Sequence, residues 1–332
     1  MTPLLDIQDL RISFAIEGAS MVAVDGVSLS VRRNQVLGIV GESGSGKSVT
    51  TMAVARLLPR NARIDQGAIW LTDSAQRTNV LTLDANGRAM NAIRGGQVGV
   101  VFQEPMGAFS PVHTIGNQLV EAIRLHRRVG EREAKAIALD LLTQVGITAP
   151  VQRLGQYAFE LSGGMRQRAM IAMALAGDPS LLIADEPTTA LDVTLQAQIL
   201  ALFKHVQAAT GMGIIFITHD LGVVAQMADD IVVMYLGKIV ERAPVKDLFA
   251  RPAHPYTRNL LRAVTRMGDT RQRMLTIPGN LPNPFDRPRG CPFHPRCTEM
   301  VPGVCDRESP PTVALTPQHS VSCVLYQARR DG

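Results

Sequence analysis

Val36-Leu37-Gly38-Ile39-Val40-Gly41-Glu42-Ser43-Gly44-Ser45-Gly46-Lys47-Ser48-Val49 is the stretch from which the rest of the chain can be placed. Its first five residues form a short apolar run, rich in β-branched side chains, of the length of one buried strand. Gly41 to Ser48 then fit the pattern Gly, four residues, Gly-Lys and Ser or Thr. Lys47 to Leu58 reads as a helix stopped by Pro59. Strand, glycine loop and helix in that order are the context a phosphate-binding loop requires. The glycines let successive backbone N–H groups turn toward a phosphate chain, and the helix N-terminus adds positive potential. In such a loop Lys47 reaches the β- and γ-phosphates and the Ser48 hydroxyl ligates Mg²⁺, with Val49 following in the first helical turn.

Working outward, further buried strands are predicted at Val98 to Phe102, Leu181 to Asp185, Ile214 to Thr218 and Ile231 to Tyr235. They alternate with amphipathic helical patterns through about residue 250, the signature of a mostly parallel sheet covered by helices. Between Thr114 and Gln167 the strand signal gives way to helical spacing over Ile115 to His126 and Glu131 to Val145, which reads as a helical insertion. After Ala250 prolines recur, including Pro282, Pro288 and Pro292, so the last segment reads as a loop-rich appendage. The chain has 332 residues, 46% hydrophobic and 19% charged, which is the balance of a folded protein and long for one domain. A net charge of +5 suits anionic partners in general and selects none. No run approaches the roughly 18 apolar residues of a membrane span, and the first residues lack the basic and apolar regions of an export signal. A cytoplasmic protein is expected.

Leu181-Leu182-Ile183-Ala184-Asp185-Glu186 is an apolar strand ending in two acids, which puts both at the carboxyl edge of the sheet, where ligands of such sheets bind. Asp185 is the candidate Mg²⁺ holder and Glu186 the candidate group that polarises the attacking water; alone, paired acids at a strand end are also common in solvated turns. Glu160-Leu161-Ser162-Gly163-Gly164-Met165-Arg166-Gln167 offers a hydroxyl and backbone N–H donors ahead of a helix, as a γ-phosphate contact or as a simple helix cap.

With that segment one helix ahead of the acids, the chain resembles ATP-binding cassette proteins over residues 4 to about 250. The resemblance implies a phosphate-loop, RecA-like α/β ATPase core with a mostly parallel sheet, an antiparallel β subdomain and a helical subdomain at about 105–167. The cassette is expected over residues 1–250 and the C-terminal region over 251–332. It implies that Ser162, Gly163, Gly164 and Gln167 of one subunit close on the ATP held by another, so that a single-cassette chain needs a second cassette. It also makes Gln103 the γ-phosphate sensor, sharing Mg²⁺ with Ser48 and Asp185, and His219 a second γ-phosphate contact. Ala190-Leu191-Asp192 matches the loop that communicates across the dimer, and Phe14 stands where the family stacks an aromatic on adenine.

The loop wording Gly41 to Ser48, Met165 in place of glutamine, and His254-Pro255-Tyr256-Thr257 at the head of the tail resemble the ATPase subunits of oligopeptide, dipeptide and nickel importers. That branch implies a paralogous ATPase subunit, two permeases, an extracytoplasmic binding protein and a place on the cytoplasmic face of the inner membrane. Residues 106–113, Met-Gly-Ala-Phe-Ser-Pro-Val-His, depart from the branch's usual Leu-Asn-Pro before the valine. Peptides are the first expectation for cargo, with opines, glutathione, nickel and oligosaccharides as alternatives. A soluble cassette ATPase acting on ribosomes or DNA is the competing class, without the double cassette or long heptads such proteins carry; no specific nucleic acid is expected. A third reading is a redox-sensing or scaffold protein built on the cysteine tail.

Cys291, Cys297, Cys305 and Cys323 are the only cysteines and leave five, seven and seventeen residues between them. A reducing compartment argues against disulfides, and the short cysteine pair usual in zinc sites is missing. The resemblance to peptide-importer ATPases implies a [4Fe–4S] cluster on these four thiolates, which would supply folding energy to a segment with little core. His294, between the first two cysteines, reads as a surface or supporting residue, with replacement of one ligand as the alternative.

Overall fold

The computed structural model describes residues 2–73, 76–189, 191–263, 279–283 and 285–330. In chain order the first elements are β1 (Leu5–Ile16), β2 (Ala19–Val31), β3 (Val36–Val40), α1 (Lys47–Val54), β4 (Ala62–Asp73), β5 (Gln76–Asn79), α2 (Arg88–Ile93) and β6 (Val98–Val101). Then come α3 (Ile115–His126), α4 (Glu131–Gln144), α5 (Pro150–Leu154), α6 (Gly163–Leu175), β7 (Leu181–Asp185), α7 (Val193–Thr210) and β8 (Gly213–Ile217). The chain continues with α8 (Leu221–Met227), β9 (Asp230–Tyr235), β10 (Lys238–Pro244), α9 (Val245–Ala250), α10 (Pro255–Ala263), β11 (Thr312–Thr316) and β12 (His319–Ser322). Two compact units result: a helical unit of Met1–Asp6, Ser30–Gln35 and Trp70–Ile217, and a phosphate-loop unit of Ile7–Leu29, Val36–Ile69 and Thr218–Gly332.

In the helical unit β6, β7 and β8 are parallel, with Val98 opposite Leu181 and Leu181 opposite Gly213. Every residue of β7 and β8 is buried, as expected of parallel strands covered on both faces. The insertion is α3, α4, α5 and α6, packed on one another. Thr114 caps α3 by accepting the Asn117 N–H at 3.2 Å, and the apolar positions Ile115, Leu119 and Ile123 fall on its buried face.

In the phosphate-loop unit β3 is buried throughout and runs parallel to β9, Leu37 opposite Asp230 and Val40 opposite Val233. β10 is antiparallel to β9, and β12 is antiparallel to both β10 and β11. The tail read as loop-rich therefore contains a helix and a hairpin, and the hairpin extends the sheet that carries the phosphate loop. β11 and β12 escape a sequence reading because they are short and partly exposed. The first helix is also shorter than the stop at Pro59 implies. It ends at Val54, where Arg56 turns into the left-handed region at φ 52 and Leu57 N–H bonds back to Met52 O at 2.9 Å. This is a C-terminal closure that leaves proline no role in stopping the helix.

Candidate nucleotide-binding site

The phosphate loop hangs between β3 and α1. Gly41, Gly44 and Gly46 all have positive φ. A Cβ on Gly41 would lie 2.2 Å from Met234 O, and one on Gly46 would lie 2.6 Å from Ala23 O. Glycine is required there by crowding as well as by conformation. Lys47 is buried, and its ammonium donates to Gly41 O at 2.8 Å and Glu42 O at 3.0 Å, holding the cation across the mouth of the loop. The Ser45 hydroxyl is buried with no hydrogen-bond partner among the described residues. An orphaned donor inside a glycine cradle fits a phosphate oxygen. Ser43 and Gly44 are exposed, while Ser48 and Val49 are half-buried on the first turn of α1.

Glu42 is gripped from outside the loop. Its N–H donates to the Tyr256 hydroxyl at 2.9 Å, and its carboxylate takes both terminal nitrogens of Arg296, at 2.7 and 3.1 Å. Arg296 also donates to Tyr235 OH at 3.3 Å. Burial works against its charge, but the hydrogen bonds to Glu42 and Tyr235 prevail and raise its pKa. Tyr235, Tyr256 and Phe293 pack ring against ring around this pair, with centroids 4.7 to 5.3 Å apart. Burial pushes both tyrosine hydroxyls up, so they remain protonated. Burial also lowers the His254 pKa to about 3, which leaves its neutral Nδ1 to accept the Tyr256 N–H at 3.0 Å. In the same unit His219 lies exposed on the turn between Thr218 and Asp220. Asp220 N–H bonds Thr218 Oγ1 at 3.0 Å, and the Asp220 carboxylate caps α8 through the Gly222 and Val223 N–H groups. Phe14 is half-buried near the end of β1.

In the helical unit Asp185 is buried at the end of β7. Glu186 follows in the left-handed region at φ 45, a conformation costly for a side chain with a Cβ and often stored at functional sites. Its Oε2 accepts from Thr189 Oγ1 at 2.9 Å and from Gln103 Nε2 at 3.3 Å, so the two candidates from separate strands converge. Ser162 caps α6 by accepting the Met165 N–H. Gln167 is buried and donates to Pro187 O at 2.7 Å, tying the helix behind Ser162 to the segment after the two acids. Gly163 has open space above it, whereas Leu195 of α7 crowds the Cα of Gly164. Asp192 caps α7 by accepting the Leu195 N–H at 2.9 Å; Ala190 lies outside the described residues.

The four cysteines are unbridged, and three of them are buried. Burial pushes the Cys291 thiol up to about 11, with Cys323, Cys305 and Cys297 each adding to the rise. Burial also raises Cys297, which senses Cys305, and Cys323, which senses Cys297 and Cys305. All four thiols are thus within electrostatic reach of one another. Among the described residues no group of three or more His, Cys, Asp or Glu is placed to hold a metal ion. The His294 ring bonds Cys291 O at 2.9 Å, a support for the cysteine backbone.

Sequence reasoning missed Arg296 and Thr189, and it used Tyr256 and His254 only as a mark of resemblance. Nothing local distinguishes Arg296 from other tail arginines, since its partner lies 254 residues away. The His-Pro-Tyr order did carry a signal: the histidine orients the tyrosine that holds the loop.

A buried strand, a glycine cradle and a helix fit a phosphate-loop nucleotide-binding protein, and Ser162-Gly163-Gly164 at the start of α6 is the feature that points to the cassette class among them. The ABC transporter family profile matches residues 24–189, and the profile of the oligopeptide/dipeptide transporter C-terminal region matches residues 240–305. A putative peptide import ATP-binding protein of Brucella melitensis is 48% identical over 98% of this chain and 98% of its own. The dipeptide transport ATP-binding protein of Bacillus subtilis is 44% identical over 100% of this chain and 97% of its own. The oligopeptide transport ATP-binding protein of Mycobacterium tuberculosis is 46% identical over 98% of this chain but only 52% of its own. A dimeric cassette in a post-hydrolysis state bound to ADP and phosphate shares the fold, with a TM-score of 0.64 at 23% identity over 73% of this chain and 98% of its own. The chain belongs to the ABC transporter family, in the group that carries the oligopeptide/dipeptide transporter C-terminal region. Among the described residues no helix is long and apolar enough to cross a membrane.

Proposed function

We propose that this chain is the ATP-hydrolysing subunit of a peptide importer, working at the cytoplasmic face of the membrane under two permeases and beside a second cassette. The observation that carries the reading is the phosphate loop: three positive-φ glycines, a buried lysine and an orphaned serine hydroxyl. Peptide cargo rests on full-length relatives named for peptide import and dipeptide transport. Lys47 and the backbone N–H groups of residues 44–48 bind the phosphates, and Ser48, Asp185 and Gln103 are the groups that would hold Mg²⁺. Bound Mg²⁺ would neutralise negative charge on the phosphates. Glu186, steadied by Thr189 and Gln103, orients and polarises the attacking water, and His219 contacts the γ-phosphate. Phe14 stacks on adenine. Ser162, Gly163, Gly164 and Asp192 serve the nucleotide of the partner cassette, an arrangement in keeping with the dimer formed by a bacterial ABC transporter cassette 25% identical to this chain, with a TM-score of 0.63 over 73% of this chain and 98% of its own. Residues 1–250 form the cassette and 251–332 the C-terminal region. The chain alone should therefore hydrolyse ATP slowly and speed up when reconstituted with its permeases and second cassette, and those vesicles should accumulate labelled peptide only with ATP inside the cytoplasmic face. Full turnover by dilute isolated chain would overturn the composite-site reading.

Cys291, Cys297, Cys305 and Cys323 hold a [4Fe–4S] cluster of structural role in the same reading. Four buried or half-buried thiols, with Cys291 feeling the other three, support it. Anaerobic purification should give brown protein with broad absorption at about 400 nm and about four iron per chain. Colourless protein with stoichiometric zinc would sink the cluster and leave the ATPase reading standing.

A further inference from the structure

Glu42 of the glycine loop has a charge partner from outside the loop. Each of its polar groups is engaged. The carbonyl takes Lys47 Nζ at 3.0 Å and Ser45 N–H at 3.2 Å, the N–H goes to Tyr256 OH at 2.9 Å, and the carboxylate takes the fork of Arg296. Tyr256 and Arg296 both come from the C-terminal segment, and both are buried. The Arg296 side chain is 4% exposed and that of Glu42 29%, so the pair is screened little on one side and bidentate on the other, the geometry in which arginine differs most from lysine. A carboxylate in this position stands one residue from Gly41 and five from Lys47, beside the place where a polyanion enters. Left without its arginine it would repel that polyanion and would be free to swing the loop.

We infer that Arg296 and Tyr256 are positioning residues for the nucleotide: they fix the phosphate loop through Glu42, and Arg296 cancels the Glu42 charge beside the phosphates. The C-terminal segment is then part of the ATP-binding machinery. The inference rests on the nucleotide-site reading and adds to it a reason for glutamate at the second loop position.

The test is the affinity of the full-length chain for a fluorescent ATP analogue, with KM and kcat for ATP measured in the assembled transporter. Arg296→Gln should weaken binding by about tenfold and raise KM more than it lowers kcat, an effect that shrinks as salt rises because Glu42 is part-exposed. Arg296→Lys should fall between parent and Arg296→Gln. Tyr256→Phe, far in sequence from the cysteines, should weaken binding several-fold. The double variant Glu42→Gln with Arg296→Gln should bind more tightly than Arg296→Gln alone, because the uncompensated charge is gone; a purely structural arginine would show no such recovery. Affinity within twofold of parent for both Arg296→Gln and Tyr256→Phe, or a double variant no tighter than Arg296→Gln, overturns the inference. If Arg296→Gln does not fold, Arg296→Lys and Tyr256→Phe decide it on the same criterion. Lys47→Ala separates the two levels of argument: loss of binding there with parent-like Arg296→Gln refutes only the positioning role, whereas parent-like binding by Lys47→Ala refutes the nucleotide site itself.

Discussion

Glu186→Gln in the assembled transporter should lower ATP turnover by about 10²- to 10⁴-fold, the usual contribution of a positioned general base, while ATP affinity stays within a few-fold of parent. The two effects separate because different groups carry them. Phosphate binding is assigned to Lys47, which is held by the loop carbonyls, and to backbone N–H groups, whose own chemistry the substitution leaves unchanged. The Glu186 carboxylate is aimed by Thr189 Oγ1 and Gln103 Nε2 and by a left-handed backbone at φ 45. Glutamine can replace the oxygen that accepts one of these bonds but cannot draw a proton from water. Single-turnover hydrolysis and equilibrium binding on the same preparation check the prediction, and turnover within twofold of parent would remove Glu186 from its role. Gln103→Ala should give a smaller loss, since Thr189 still holds the carboxylate.

The largest loss of stability should come from Glu241→Ala, at about 3–5 kcal/mol, the range for removing one partner from a buried charged network. Glu241 is 1% exposed. Its Oε1 accepts the Ala253 N–H at 2.7 Å and bonds His319 Nε2 at 2.8 Å, and its Oε2 accepts the His254 N–H at 2.8 Å. One carboxyl group therefore joins β10, the approach to α10 and the C-terminal hairpin, and deleting it strands three buried donors. His319→Ala removes one of those donors and leaves the two amide bonds intact, so it should cost less, about 1–2 kcal/mol. Chemical denaturation of the two variants against parent gives the ordering. A cost below about 1 kcal/mol for Glu241→Ala would show that the junction is held by packing alone, through Ala253, Val321 and Cys323 with Tyr326 against them.

Local sequence was sufficient wherever the physics is local. A five-residue apolar run bounded by glycine or by acids has the length of a buried strand and is short for a helix, and β3 and β7 lie where that argument puts them. The glycine pattern from 41 to 46 is dictated by backbone conformation and close approach, so it too is visible one residue at a time. The periodicity of Ile115 to His126 returned α3 to the residue. Ser162, read as a possible helix cap, acts through a hydrogen bond from Met165 N–H three residues on, while Thr114, Asp192 and Asp220 are caps that the structure added.

What the chain order could not disclose are pairings between segments whose contact exists only after the sheet has formed. Gln103 meets Glu186 across 83 residues, and Gln167 meets Pro187 because a helix folds back over the strand that follows it. The C-terminal segment read by itself is a run of prolines, glycines and cysteines with little to bury. Its short strands acquire a partner only because β10 offers an open edge with Glu241 opposite Val321, and an isolated pair of such strands would be marginal in water. Sequence alone therefore determined a phosphate loop, its strand, its helix and its paired acids, because those are consequences of backbone geometry over a few residues. Only the tertiary structure decided that Arg296 and Tyr256 grip that loop at Glu42, because the burial that makes a guanidinium–carboxylate pair selective is created by segments 254 residues apart coming together.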